Sequence, residues 1–166
     1  RGIDVPQPAQ HRFWMMLESG EPTFRGVTAI ICQQERRNAD SLISRCKTFA
    51  YGQAVLARQE ASQQGCNDAL LLNTKNQLCS GTVANLIVKR NGTWLTPPLS
   101  SGCLPGVMRR RALTLGLIEE AELESDLRPN DEAALINSLS CRPVIALNGL
   151  PRAQADAEHF WRNLLE

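Results

Sequence analysis

The chain has 166 residues, 43% of them hydrophobic and 21% charged, and its 18 basic residues nearly balance 17 acidic ones to leave a formal net charge of +1. Such a composition describes an ordinary globular chain, without the clustered basic surface that nucleic acid or an anionic membrane requires. No apolar run approaches the roughly 20 residues of a membrane helix, so the expectation is a cytosolic protein that handles a small molecule.

The chain opens on Arg1-Gly2 and passes Pro6 and Pro8 without the apolar core of a signal peptide, as a chain missing an upstream part would. Strand-like runs follow at Phe13–Leu17 and Val27–Cys32. A helix is predicted over Ala50–Gln64, with Ala50, Ala54, Leu56, Ala57 and Ala61 as its apolar residues and Gly65 as a left-handed stop. Strands are next expected at Ala69–Asn73, Ala84–Lys89 and Thr93–Thr96, the last two around the turn at Arg90-Asn91-Gly92. Pro105-Gly106 leads into a second helix, Val107–Leu115, and a helical turn is expected around Arg128–Asp131. Strands at Ala133–Asn137 and Val144–Leu147 and a third helix over Ala153–Leu165 complete the chain. With no repeat and no long linker, residues 1–166 read as one mixed α and β domain.

Cys32, Cys46, Cys66, Cys79, Cys103 and Cys141 are scattered singly, mostly beside apolar residues, and read as buried free thiols rather than a disulfide framework. No pair has metal-ligand spacing, and His11 and His159 lie far apart in sequence, so no metal is expected. Both histidines read as polar residues at element edges.

Three segments could carry chemistry. Lys47, in SRCKTFAYGQAVLARQE, lies just ahead of a helix amid Cys46, Phe49, Ala50 and Tyr51. A lysine buried there would lose its charge and could hold an aldehyde cofactor as a Schiff base; the alternative is a solvated lysine at a helix start. In SSGCLPGVMRRR the free backbone N–H groups of Val107 and Met108 could bind a phosphate at the helix end, or the segment is a plain loop-to-helix junction with a solvated Arg109–Arg111 face. In LINSLSCRPV, Asn137 and Ser138 either satisfy turn backbone groups or donate to a phosphate.

Taken in order, Lys47-Thr48-x-x-Tyr51, GCNDALLLN, SGTVANLIV with Asn85, TPPLSSGCLPGVMRR and DEAALINSL followed by Pro143-Val144 resemble the large domain of class IV aminotransferases. This is the fold-type IV pyridoxal-phosphate family of branched-chain and D-amino acid aminotransferases and aminodeoxychorismate lyase. The likeness covers nearly the whole chain, and the Lys47-Thr48 and DEAALINSL segments are closer to the lyase. It implies an α/β fold of mixed α+β type, a pseudo-barrel of mixed strands with flanking helices, and pyridoxal 5'-phosphate as cofactor.

On this resemblance Lys47 would attach the cofactor and move the substrate proton, Tyr51 would stand near its ring, and Val107 and Met108 would give backbone N–H groups to its phosphate. Asn137 or Ser138 would add a further donor there. Arg1 would lie at a domain junction and contact a substrate carboxylate. The family normally carries a glutamate five residues before the asparagine matched by Asn85, paired with the pyridine nitrogen; here that position is Ser80. A hydroxyl cannot stabilise a pyridinium as a carboxylate does, which tilts the expectation from transamination to elimination, and so to aminodeoxychorismate lyase making 4-aminobenzoate for folate synthesis. The resemblance also implies a homodimer and a smaller amino-terminal domain outside this chain. A branched-chain or D-amino acid aminotransferase and a non-catalytic binding domain on the same fold are the rival readings.

Overall fold

The computed structural model describes residues 14–166. Nine strands, β1 (Val27–Arg37), β2 (Asp68–Asn73), β3 (Leu78–Ser80), β4 (Asn85–Arg90), β5 (Thr93–Thr96), β6 (Glu119–Glu120), β7 (Glu132–Asn137), β8 (Ser140–Leu147) and β9 (Leu150–Pro151), combine with helices α1 (Gly52–Gln63), α2 (Val107–Thr114) and α3 (Ala157–Arg162). Side chains alternate across a strand, and here both faces find apolar cover. Leu70 and Leu72 of β2, Leu86 and Val88 of β4, and Ala133 and Leu135 of β7 pack together inside. Their neighbours point outward: Ala69 and Leu71 meet Ala57 and Ala61 of α1, while Ile87, Ala134 and Ile136 meet Met108 and Ala112 of α2 and Phe160 and Trp161 of α3.

Six strands close into a mixed barrel in the order β3-β2-β1-β8-β7-β4, with β4 returning to β3. β1 runs parallel to β2 and to β8, and the other barrel pairs are antiparallel. The closing seam between β3 and β4 is a single register pair, Ser80 with Asn85. The parallel β1–β2 pair needs a crossover, and residues 38–67 provide it, carrying Lys47 and then α1.

β1 runs five residues past the predicted end at Cys32, through the polar stretch QQERR. Its register with β2 shifts between Ile31 and Arg36, and the buried carboxylate of Glu60 from α1 replaces the missing ladder bonds. Glu60 accepts from the N–H groups of Gln33 (2.9 Å) and Gln34 (3.1 Å) and from the Cys32 thiol (3.1 Å). Burial works to raise the Glu60 carboxyl, but these donors outweigh it and hold the group below the usual carboxylate range. The stability it contributes is therefore present at neutral pH and is lost as pH falls through that depressed value. Glu60→Gln is expected to cost about 2 kcal/mol at pH 7 and to flatten the acid arm of a stability-versus-pH curve from urea denaturation.

Three expectations on elements are corrected. Residues 14–17 form no strand, and Trp14 to Leu17 stand exposed, because a β-prone run is not a strand without a neighbour to pair with. The third helix is limited to Ala157–Arg162, starting where Asp156 caps the His159 N–H at 3.1 Å. β8 begins at Ser140 rather than Val144, running through Pro143. Cys141 N–H donates away from β7 to Thr23 O, so the missing N–H of Pro143, two residues on, falls on that same side. There the β1 ladder begins only at Val144, and no bond is lost. All six cysteines are free, but only Cys32, Cys79, Cys103 and Cys141 are buried; Cys46 is exposed and Cys66 half-buried. Among the described residues no helix is long and apolar enough to cross a membrane.

Candidate functional site

Where β1 ends, β3 meets β4 and β7 turns into β8, the surface opens into a cavity of about 580 Å³. Lys47, Tyr51, Ser80, Asn85, Val107, Asn137 and Ser138 all lie on its wall, although they come from four separate segments of chain.

Lys47 sits in the crossover loop ahead of α1. Ser44 Oγ donates to Asn38 O at 2.8 Å and the Ser41 hydroxyl accepts from Ile43 N–H at 3.3 Å, which folds the preceding residues into a 3-10 turn. The Arg37 guanidinium, at the end of β1, ties that turn down by donating to Ser44 O, to Gly102 O (3.2 Å) and to Gln53 Oε1 (3.4 Å). Lys47 Nζ donates to the Tyr51 hydroxyl at 3.4 Å, four residues on. The expectation of a buried amine is not met: Lys47 lines the cavity but is exposed. The apolar side chains of its loop, Leu42, Ile43 and Phe49, are themselves exposed, and among the described residues none buries the amine.

The second wall is the start of α2. Gly106 precedes the helix without a side-chain cap, and Arg110 N–H makes the first intrahelical bond, to Gly106 O. The N–H groups of Val107 and Met108 thus precede that series and carry the positive end of the helix dipole. Asn85 Nδ2 donates to Leu104 O at 2.8 Å, bracing the approach to the helix against β4. A Cβ on residue 106 would come within 2.1 Å of Asn85 Oδ1, so glycine is required for this close approach. The Met108 side chain is buried in the core, and Met108, unlike Val107, is not among the residues that line the cavity.

Asn137 and Ser138 form the third wall and differ in freedom. Asn137 Oδ1 accepts from Leu139 N–H (2.8 Å) and from Ser140 Oγ (3.1 Å), and its Nδ2 donates to Val83 O. The Asn137 side chain is thereby engaged in its own turn. Ser138 is exposed on the cavity wall, and its hydroxyl is the group with capacity to donate to a ligand.

The floor is the β3–β4 corner. Ser80 is buried at the closing seam, and behind it lies a carboxylate that sequence reasoning missed. Asp68 is fully buried; it accepts from Thr82 Oγ1 (2.7 Å), Arg142 Nη2 (2.6 Å), Arg58 Nη2 (3.1 Å) and the Ala69 N–H (2.9 Å). Thr82 itself lines the cavity, so Asp68 fixes the corner that carries Ser80. Cys79 faces the other way, its thiol donating to Ser101 O at 3.1 Å and pushed up to about 12 by burial; it is a strand contact and no nucleophile.

Arg37 and Arg45 also line the cavity and were not singled out from the sequence. The polar run QQERR at a strand end and an arginine two residues before Lys47 were the available signals. Among the described residues no cluster of histidine, cysteine, aspartate or glutamate is placed to hold a metal. His159 is exposed on α3, while Arg1 and His11 lie outside the described residues.

Residues 2–147 match the family model for amino-transferase class IV. A probable branched-chain-amino-acid aminotransferase of Aquifex aeolicus is 32% identical over 108 residues, 64% of this chain and 34% of that protein. A putative aminodeoxychorismate lyase of Schizosaccharomyces pombe is 32% identical over 99 residues, 56% of this chain and 43% of that protein. The branched-chain amino acid aminotransferase from Thermobaculum terrenum, solved in its PLP-bound holo form, superposes with a TM-score of 0.73 at 25% identity, covering 84% of this chain and 48% of that one. The chain thus spans about a third to a half of the length of the proteins it matches.

Proposed function

Because this chain belongs to the amino-transferase class IV family, whose cofactor is pyridoxal 5'-phosphate, we propose that it is the larger part of a 4-amino-4-deoxychorismate lyase. Pyruvate would leave the substrate and 4-aminobenzoate would remain for folate synthesis. The residues on the cavity wall fit the cofactor: an amine for its aldehyde, a bare helix end and a serine hydroxyl for its phosphate, and, among the described residues, no carboxylate to repel that phosphate. The observation that carries the lyase reading is Ser80, a neutral hydroxyl on the cavity floor where the family has a carboxylate.

When bound, the cofactor supplies an aromatic ring that takes up the electron pair left by a departing proton. Lys47 Nζ, next to the Tyr51 hydroxyl, would hold the cofactor through its aldehyde until the substrate amine takes its place, and the freed Lys47 amine would then take the proton from the substrate carbon that bears the nitrogen. Val107 and Met108 donate their N–H groups to the phosphate and Ser138 adds its hydroxyl, while Asn85 holds the loop so that this end of α2 stays open. Ser80 gives the ring nitrogen a hydrogen-bonding partner but cannot hold a proton on it as a carboxylate would. A site built this way would favour expulsion of pyruvate from the adjacent carbon, with the substrate ring becoming aromatic, over the storage of charge that transamination needs.

Gly106→Ala is expected to weaken cofactor binding about tenfold, the worth of one buried hydrogen bond of about 1.4 kcal/mol, read by titrating the apoprotein with pyridoxal phosphate. The reading itself is tested by supplying the intact protein with aminodeoxychorismate and no keto acid: pyruvate and 4-aminobenzoate should appear in equal amounts. Ser80→Glu should raise transaminase activity relative to pyruvate release by about tenfold, on the scale of one charge-assisted hydrogen bond. No pyruvate release, with keto acid formed from branched-chain or D-amino acids, would favour the aminotransferase reading that the Aquifex relative's name suggests; no cofactor binding at all would favour a binding domain. A homodimer and a smaller amino-terminal domain that together complete the cavity, in a cytoplasmic protein, belong to the same proposal. The uncovered side chains of Leu42, Ile43, Phe49 and Val83 support a covered cavity mouth.

A further inference from the structure

Among the described residues three pairs of strands are joined by two-residue turns. Asn91-Gly92 joins β4 to β5 and Asn148-Gly149 joins β8 to β9, and all four residues have positive φ, between 50° and 85°. That backbone follows the twist of the strands it connects. Ser138-Leu139, between Asn137 of β7 and Ser140 of β8, is the exception. Neither residue has positive φ, so the turn lacks the geometry that closes such a hairpin unaided.

It is held by other groups. The Asn137 side chain closes it locally, accepting from Leu139 N–H at 2.8 Å. The two carbonyls that flank Ser138 are each tied to a different part of the chain. Leu139 O accepts from Thr23 N–H at 3.1 Å, and Asn137 O accepts from the indole N–H of Trp161 on α3 at 3.3 Å. Trp161 is itself fixed. It is buried, its ring meets Phe24 edge-on with centroids 5.7 Å apart, and it packs in one cluster with Met108 and Ala112 of α2. The turn after α3 is tied to α2 as well, Arg111 Nε donating to Leu164 O. One short helix thus holds both walls to which the cofactor phosphate is assigned, the start of α2 and Ser138, although Trp161 does not line the cavity.

A donor serves an anion best when its position is set before the anion arrives, and a serine on a turn free to splay would lose that advantage. We propose that Trp161 is a positioning residue for the phosphate end of the cavity: its indole N–H fixes the Asn137 carbonyl and so holds the Ser138 hydroxyl at a set distance from the start of α2. This rests on the reading of Ser138 as a phosphate donor and deepens it, whichever reaction the cofactor then serves.

The test titrates the intact apoprotein with pyridoxal phosphate and with pyridoxal, which lacks the phosphate. Trp161→Phe keeps an aromatic ring in the cluster and removes the N–H. It is expected to weaken pyridoxal phosphate about fivefold, the effect of losing one neutral hydrogen bond, and to leave pyridoxal within about twofold. In a Ser138→Ala background the same substitution should weaken pyridoxal phosphate by less than about twofold, because the hydroxyl it positions is gone. Pyridoxal binding by the variant shows that it has folded. Should it not fold, Trp161→benzothienylalanine, with sulfur in place of the N–H, keeps the bicyclic shape and removes the donor alone. Equal losses for the two ligands would mark a merely structural role and overturn the proposal, as would no loss for pyridoxal phosphate or a further loss of the same size without the Ser138 hydroxyl. If Ser138→Ala alone costs no affinity for pyridoxal phosphate, the reading of Ser138 as a phosphate donor fails and takes this inference with it. A loss in Ser138→Ala with none in Trp161→Phe overturns this inference alone.

Discussion

Lys47→Ala is expected to lose about 10³-fold or more of turnover, the scale set by removing a nucleophile that also moves the proton, with almost no change in stability. The two halves of this result come from one geometry. Lys47 is exposed, and its recorded side-chain partner is the Tyr51 hydroxyl at 3.4 Å, so deleting it empties no core and orphans no buried group. Surface substitutions of this kind stay within about 0.5 kcal/mol. Borohydride reduction followed by peptide mass analysis should find the cofactor on residue 47 of the parent protein and nowhere in the variant. Added methylamine should restore part of the proton transfer. Full activity in the variant would remove Lys47 from the chemistry, whatever becomes of the fold assignment.

Asp68→Ala should have the opposite profile, with stability as the primary loss. Asp68 is fully buried between Arg58 and Arg142, whose side chains are 42% and 16% exposed. Arg58 can turn to solvent when the carboxylate goes, but Arg142 cannot, and it is left as a largely buried uncompensated charge. Removing one partner of a buried pair costs about 3 to 5 kcal/mol; the escape of Arg58 puts the expected loss near 3 kcal/mol, measurable by urea denaturation. Thr82 also loses its 2.7 Å anchor, so amide exchange at residues 81–84 should accelerate before the rest of the barrel responds. A loss below about 1 kcal/mol would mean that the pair is offset by its own desolvation.

Much of the architecture could be read from the chain because β2, β4, β5 and β7 announce themselves by short apolar runs between turns, and α1 by its spacing and by Gly65, which adopts φ +71°. What could not be read depends on contacts between distant residues. The extension of β1 through QQERR follows from a carboxylate 26 residues away on α1, and no local pattern signals it. Residues 14–17 have strand composition but, among the described residues, no strand to pair with. The site is legible to the same degree. Lys47, Val107 and Ser138 could be picked out as reactive or donor types, and all three line one cavity. The Asp68 network joins positions 74 residues apart, and the imbalance of charge on the wall appears only when segments are assembled. The burial expected of Lys47 failed because neighbours in sequence, Phe49 above all, turned out not to be neighbours that cover it.

The central position of β1 has a consequence for the order of folding. Its parallel pairing with β8 matches Val27 to Val144, so the earliest of the described barrel strands waits for the latest. Closing so long a loop delays its reward. A nascent chain released before residue 147 would carry β1 and β2 with one flank unpaired, and refolding should therefore show a late step in which the β1–β8 amides gain protection together, well after those of the β4–β5 hairpin.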